Sequence, residues 1–116
     1  MHELGLMTGV MSAVMKAAED AGAQRVTDIT LDIGDMTEVV DEALRFAFDA
    51  LATGTICEGA QLHVNTIAPR SLCLECGTEY DHDRFHPACP QCGSHATHLL
   101  AGREMNIASI EVDIPD

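Results

Sequence analysis

Two matching cysteine pairs constrain this chain more than any other feature of its sequence. The pairs are Cys73 with Cys76 and Cys89 with Cys92; a glycine follows each pair and twelve residues separate them. Two residues between cysteines let both sulfurs face one ion from a tight turn, and the glycine lets the backbone bend. Four thiolates in a closed tetrahedron suit Zn²⁺ or iron, and such a site is structural rather than catalytic. We favour zinc over a rubredoxin-like iron centre, which is normally surrounded by aromatic residues, and over a dithiol redox pair, which needs no second copy.

Two other segments have the apolar spacing of amphipathic helices. Apolar residues recur at spacings of three and four over residues 3–21, and Gly22 ends this pattern. A second such segment ends at Gly54, and Asp35 with Glu38 is predicted to cap its start. We expect both helices to bury their apolar stripes, with the methionines acting as core filler. The stripes consist of Met7, Val10, Met11, Val14, Met15 and Ala18 in the first helix, and Val40, Leu44, Ala47, Phe48 and Leu51 in the second.

Three segments, 26–33, 61–68 and 103–114, alternate apolar and polar residues as half-buried strands do, and we expect the last to return to the sheet formed by the first two. Between them, residues 70–102 lose this periodicity and concentrate Cys, His, Pro and Gly, so this insert needs a metal to fold. The sequence therefore predicts an α+β fold: a small sheet with two helices, plus a zinc-ribbon-like insert with four cysteines. The predicted domains are 1–69 with 103–116, and a zinc-binding domain at 70–102.

The charge composition narrows the classes of partner. The chain has 116 residues, with six Lys and Arg against 19 Asp and Glu, for a net charge of −13. Such a chain repels polyanions, so nucleic acids and anionic membranes are disfavoured. The first residues lack the cationic segment of a signal peptide, and no apolar run approaches the roughly 20 residues that span a membrane. We expect a cytoplasmic protein, in which reducing conditions favour metal ligation, with the fifth cysteine, Cys57, buried in the core.

The first residues form a candidate chelator. We expect Met1 to be retained, because its removal generally requires a smaller second residue than His2. The Met1 amine, the His2 amide nitrogen and the His2 Nδ1 can then hold one ion in a plane, with the fourth position open to Glu3, to a histidine of the insert or to a partner. Because the metal must displace the amide proton, this donor set favours Ni²⁺ or Cu²⁺ over Zn²⁺. The alternative is that His2 is an exposed residue without a role.

Several segments along the chain together resemble one known family. They are Met1-His2-Glu3-Leu4, Leu31-Asp32-Ile33-Gly34, Phe46-Ala47-Phe48-Asp49, Glu58-Gly59-Ala60-Gln61-Leu62, the two cysteine pairs and Ile110-Glu111-Val112-Asp113. The chain is similar in these segments to the HypA/HybF family of hydrogenase nickel-insertion accessory proteins. The resemblance implies a non-enzymatic, two-domain α+β metallochaperone that binds Ni²⁺ through His2 and Zn²⁺ through the four cysteines. It also implies delivery of nickel to the large subunit of nickel-iron hydrogenase together with the GTPase partner HypB.

Some interpretations remain open at this level. Glu3 either influences nickel affinity or partner docking, or serves only the helix dipole. The remaining histidines of the insert are interpreted as exposed loop residues, with metal ligation as the alternative: His82, His86, His95 and His98. The rival functions are a zinc-ribbon adaptor that binds only protein, and a zinc enzyme, which would need an open metal position. We expect a monomer or a weak homodimer that is not an enzyme, since no catalytic motif with a known spacing occurs.

Overall fold

Two helices and six strands form in residues 2–116, the part of the chain that a computed structural model describes. The α+β class predicted from the sequence is confirmed. A 3₁₀ turn at Asp35–Thr37 follows the first strand. In chain order the elements are α1 (His2–Asp20), β1 (Arg25–Gly34), α2 (Asp41–Ala52), β2 (Gln61–Ile67), β3 (Arg70–Cys73), β4 (Glu79–Asp81), β5 (Thr97–Ala101) and β6 (Met105–Asp113).

The first sheet has the strand order β2-β1-β6, so β6 returns to the two earlier strands as predicted. The amide of Gln24 donates to the carbonyl of Asp113 at 2.9 Å, and that of Gly34 to Glu104 at 2.7 Å. The first bond joins the start of β1 to the end of β6, and the second joins the end of β1 to the start of β6. The two strands are therefore antiparallel. The central strand β1 supplies core side chains, because Ile29 is fully buried.

A second sheet, with the order β4-β3-β5, occupies the cysteine insert. Strand β3 is antiparallel to both neighbours; Ser71 lies opposite Tyr80 of β4 and Leu99 of β5. These three strands have four, three and five residues. The sequence pattern did not predict them, because strands this short carry too few alternations to show a period.

The chain divides into two compact units. The first comprises the described residues up to Leu31 together with Val39–Asn65 and Ile107–Asp116, and contains both helices. The second comprises Asp32–Glu38 and Thr66–Asn106, and contains β3, β4 and β5. The predicted cysteine insert, 70–102, therefore falls within the second unit.

The helical stripes are largely buried, as predicted. Helix α1 buries Met7, Val10, Met11, Val14 and Ala18, and α2 buries Leu44, Ala47 and Phe48. Two predicted core positions are wrong: Met15 is 36% exposed and Val40 56% exposed. Val40 is exposed because it precedes α2 and is not part of its inward face.

The predicted cap of the second helix is also wrong. Asp35 begins a separate 3₁₀ turn, and Glu38 closes it in the left-handed region at φ 60°. Because a non-glycine residue in that region cannot continue a right-handed helix, α2 starts only at Asp41. Its N-cap residue, Val40, provides no side-chain cap. Instead the Val40 amide donates to the Glu3 carboxylate of α1 at 3.1 Å.

Gly34 lies where two backbone segments of the second unit meet. A Cβ at this position would lie 2.0 Å from the carbonyl oxygen of Gly102 and 2.5 Å from the amide nitrogen of Arg103. Because these are backbone atoms that are also hydrogen-bonded nearby, with the Met36 amide donating to Gly102 at 2.8 Å, they have little room to move. Only glycine fits at position 34, because any Cβ would overlap the backbone of Gly102 and Arg103.

Gly34→Ala should therefore destabilise the protein by about 1–3 kcal/mol, as overpacking does. The matched control is Gly9→Ala on α1, where an added Cβ meets nothing within 4 Å; this change should stabilise the helix by about 0.5–1 kcal/mol. Urea unfolding of the two variants measures both effects. A Gly34→Ala variant with a wild-type midpoint would show that the two segments are further apart than described.

Candidate metal centre

The two cysteine pairs form equivalent turns. In the first, the Gly77 amide donates to the carbonyl of Cys73 at 2.9 Å; in the second, the Gly93 amide donates to the carbonyl of Cys89 at 2.8 Å. Both glycines have positive φ, +77° and +73° respectively, so the predicted need for glycine after each pair is confirmed. Strand β3 holds the first turn in place, since Cys73 is its last residue.

The turns bring all four sulfurs together. Cys73 Sγ lies 3.6 Å from Cys92 Sγ, and Cys76 Sγ lies 3.6 Å from Cys89 Sγ. All four sulfurs are within 4.8 Å of one another, and none of these cysteines forms a disulfide. Each close pair joins one turn to the other, so the sulfurs surround one common point. This arrangement offers four converging donors to a single ion.

The electrostatics of the cluster favour a cation. Hydrogen bonds from the Thr78 hydroxyl and amide lower the pKa of the Cys76 thiol to about 6. The Ser94 amide lowers the pKa of Cys92, but the thiol of Cys73 and partial desolvation outweigh it and raise that pKa to about 12. One sulfur thus ionises readily while another resists ionisation, because hydrogen bonds to the neighbouring sulfurs stabilise the protonated Cys92 thiol. A bound dication removes this conflict by replacing protons at every sulfur.

Two of the four cysteines also form the core of the second unit. Cys73 and Cys89 are buried in a cluster with Tyr80, whereas Cys76 and Cys92 are exposed. The Tyr80 hydroxyl donates to the carbonyl of Pro87 and so ties β4 to the loop before the second turn. Tyr80 was not predicted from the sequence; its position as the chain's sole tyrosine, between the two cysteine pairs, was the available signal.

The four histidines of the second unit have different surroundings. His82 is half-buried: its Nε2 lies 2.7 Å from the Ser71 hydroxyl, so its interpretation as an exposed loop residue is wrong. His86 is exposed beside the Asp83 carboxylate, at 2.8 Å, and His95 is exposed. His98 is exposed, but it lies on strand β5 rather than in a loop. Within residues 2–116, none of these histidines belongs to a cluster of three or more potential metal ligands.

The proposed chelator at the amino terminus is only partly described. Met1 lies outside the described residues, so its predicted role stays a prediction. His2 is exposed and is the first residue of α1. Glu3 is half-buried, and the hydrogen bond from the Val40 amide lowers the pKa of its carboxyl group. Cys57 is fully buried as predicted, and this burial raises the pKa of its thiol.

Comparison with known proteins identifies the family to which this chain belongs. The profile of a family described as "Hydrogenase/urease nickel incorporation, metallochaperone, hypA" matches residues 1–112. This chain belongs to that family. The hydrogenase maturation factor HypA of Acidithiobacillus ferrooxidans is 37% identical over 113 residues, covering 97% of this chain and all of the relative. The factor of the same name from Methanocaldococcus jannaschii is 38% identical, with both chains covered completely.

Two solved structures share the HypA fold of this chain. The solution structure of the nickel metallochaperone HypA from Helicobacter pylori has a TM-score of 0.70 at 17% identity, covering 97% of this chain and 98% of that one. A second HypA solution structure has a TM-score of 0.73 at 19% identity, with coverages of 97% and 96%. The family match over residues 1–112 confirms the resemblance drawn from the sequence, and the description of that family is one of metallochaperones. No helix in the described part of the chain is long and apolar enough to cross a membrane.

Proposed function

We propose that this chain carries nickel during hydrogenase maturation, binding Ni²⁺ at its amino terminus and releasing it to a partner. Membership of the nickel-incorporation family over residues 1–112 carries this proposal. The donors would be the Met1 amine, the His2 amide nitrogen and the His2 Nδ1. A planar site with three nitrogens and an open fourth position suits an ion that must be handed on, because an incoming ligand can attack at that position.

The position of His2 supports this donor set. The first four amides of an α-helix have no partner within the helix. As the first residue of α1, His2 has such an amide, so its nitrogen can lose its proton to a metal without breaking a helical hydrogen bond. Its side chain is exposed to an arriving ion. Nickel loading at this position therefore leaves the rest of α1 intact.

Glu3 has a structural contact of its own beside its candidate role as a nickel ligand. Its carboxylate accepts the Val40 amide, 37 residues away in the chain, and so joins the first turn of α1 to the start of α2. This hydrogen bond engages Oε2, and a carboxylate can coordinate a metal through its other oxygen, so Glu3 stays among the candidates for the fourth nickel position. The other candidates are a histidine such as His95 or His98, or a group on the partner.

The four cysteines are proposed to hold one structural Zn²⁺. Zinc-sulfur bonds of about 2.3 Å place the corners of a tetrahedron about 3.8 Å apart, and the Cys73–Cys92 and Cys76–Cys89 sulfur separations of 3.6 Å lie close to this spacing. Because all four donors are thiolates, they leave no open position for substrate, which argues against a zinc enzyme. When bound, the ion would crosslink the two turns of the second unit.

The proposed partners follow from the same family. The GTPase HypB and the large subunit of nickel-iron hydrogenase would receive or pass on the ion, and the family's description also includes urease. No observation favours the rival function of a zinc-ribbon adaptor without nickel. Nickel transfer should therefore be assayed with both hydrogenase and urease apoproteins as acceptors.

Complementation tests this function in cells. In a host lacking its own nickel chaperone for hydrogenase, the wild-type chain should restore hydrogenase activity and His2→Ala should not. Excess nickel in the medium should restore activity to the His2→Ala cells, since only delivery is impaired. The control is His63→Ala, an exposed histidine that pairs with Asp28 at 2.8 Å in the first unit and should complement fully. Full activity with His2→Ala at low nickel would contradict delivery through the terminus.

A further inference from the structure

An open apolar groove runs along helix α2 in the first unit. Its volume is about 580 Å³. One wall comes from α1 and the other from α2 and the residue before it, and Glu42 lies at its edge. The apolar side chains that line it are Leu4, Val40, Ala43, Phe46, Ala47 and Ala50. This groove belongs neither to the cysteine cluster nor to the predicted nickel donors.

Three large apolar side chains of the groove face solvent. Phe46 is 77% exposed, Val40 56% and Leu4 40%. Isolated exposed apolar residues are ordinary, but a contiguous patch of them around a concave surface is typical of an interaction site. The small residues Ala43 and Ala50 deepen the groove beside Phe46 and leave room for an incoming side chain. The groove therefore offers apolar area that nothing within the first unit covers.

The spacing of the lining residues indicates the shape of the occupant. Ala43, Ala47 and Ala50 recur along α2 at the spacing of one helical face. From Val40 to Ala50 this face is about 15 Å long at 1.5 Å per residue. An amphipathic helix of two to three turns presents a matching row of side chains, and such helices commonly bind in apolar grooves.

The charges around the groove indicate the polarity of the occupant. Glu42 precedes Phe46 by four residues and Asp49 follows it by three, so both carboxylates neighbour the ring on the helix surface. The nearby Arg45 is already engaged with the Asp41 carboxylate at 2.9 Å and with the carbonyl of Leu62 at 2.6 Å. With a net charge of −13, a second copy of this chain would bring one acidic rim against another. A cationic partner is favoured instead.

We propose that this groove, lined from Leu4 to Ala50, is a docking site for a basic amphipathic helix of a partner protein. Apolar residues of that helix pack around Phe46, and flanking Lys or Arg side chains pair with Glu42 and Asp49. The proposal goes beyond nickel carriage, because it assigns a protein-binding surface to α2. Its test uses no nickel, so failure here leaves the proposed nickel function untouched, and the reverse also holds.

The test uses the full zinc-loaded chain and a synthetic helical peptide of about four turns. The peptide has leucines on one face at i, i+4, i+7 and i+11, flanked by lysines and arginines; a scrambled peptide has the same charge without the apolar face. We expect the patterned peptide to bind with a Kd below about 1 mM and the scrambled peptide to bind at least about tenfold more weakly. Fluorescence anisotropy of labelled peptide measures both, and a failure of the patterned peptide to bind overturns the proposal.

Matched variants distinguish peptide binding in the groove from electrostatic attraction between the basic peptide and the acidic chain as a whole. Phe46→Ala should weaken binding at least about tenfold, whereas Phe85→Ala, which removes a ring that is 73% exposed in the second unit, should not. The double change Glu42→Gln with Asp49→Asn should weaken binding at low salt. The equally charged control, Glu19→Gln with Asp116→Asn, should leave it unchanged.

Three results would overturn the proposal. If Phe46→Ala and Phe85→Ala lose peptide affinity equally, the peptide binds outside the groove. If the two charge variants lose affinity equally, binding depends on the net charge of the chain rather than on Glu42 and Asp49. Sedimentation that shows a dimer of the free chain, dissociated by Phe46→Ala, would make a second copy the occupant of the groove.

Discussion

Cys73→Ala is expected to release the zinc ion and unfold the sheet β4-β3-β5 while α1 and α2 remain folded. The second unit has a small buried cluster of Cys73, Tyr80 and Cys89, and two of its three members are sulfur donors. Structural zinc contributes about 10–16 kcal/mol in small zinc domains, far more than three short strands provide. The first unit has its own core, which includes the buried residues Ile29 and Leu44. Unfolding caused by loss of the metal should therefore be confined to the second unit.

Metal analysis and amide NMR spectra measure this outcome. The wild-type chain should contain one zinc ion, and Cys73→Ala much less; the amide signals of the second sheet should collapse to random-coil positions. The control is Cys57→Ala, which removes an equally buried thiol from the first unit. It should keep its zinc and lose only about 1–2 kcal/mol of stability through a small cavity. A Cys73→Ala chain with one zinc ion and intact β3 signals would contradict the proposed ligand set.

His2→Ala is expected to weaken nickel binding by about 100-fold or more, about 2.7 kcal/mol. The change removes the imidazole and leaves the amine and amide as an incomplete chelate. Acetylation of the Met1 amine should have the same effect, because it turns the amine into an amide while His2 remains. Nickel binding should release protons, since the donors must lose theirs to bind the metal.

Calorimetry and absorption spectra of nickel titrations test this second prediction. His63→Ala is the control, because it removes an exposed histidine of the first unit whose partner is Asp28. If the planar nickel absorption and the proton release persist in His2→Ala or in the chain with an acetylated Met1 amine, the nickel site lies elsewhere. The nickel affinities of His95→Ala and His98→Ala then test whether either histidine fills the fourth position. Unchanged affinity in both would show that neither His95 nor His98 is the fourth ligand.

The cysteine site was predictable from sequence because its geometry is local. Each CxxC turn places two sulfurs within a few residues, and the glycine that follows permits the bend that the structure has at Gly77 and Gly93. The amide and imidazole of the proposed chelate belong to one residue, His2, so this hypothesis also needed no knowledge of the fold. The return of β6 to the first sheet could be predicted because its alternation is long enough to show a period.

Other features depended on the tertiary structure. The start of α2 was predicted at Asp35 from a local capping pattern, but a left-handed residue at Glu38 and a carboxylate from α1 decide it instead. His82 has its hydroxyl partner, Ser71, only because β3 lies beside the segment that follows β4.

The exposure of Val40 illustrates the same division most directly. Sequence alone determined the apolar spacing of α2, the four clustered thiols and the histidine at position 2, since each is a property of neighbouring residues. The sequence predicted Val40 and Phe48 on one buried stripe, but the tertiary structure decided their burial: Phe48 entered the core, whereas Val40 remained exposed at the groove. The physical reason is that burial depends on which face of the helix another element covers, and that contact joins residues far apart in the chain.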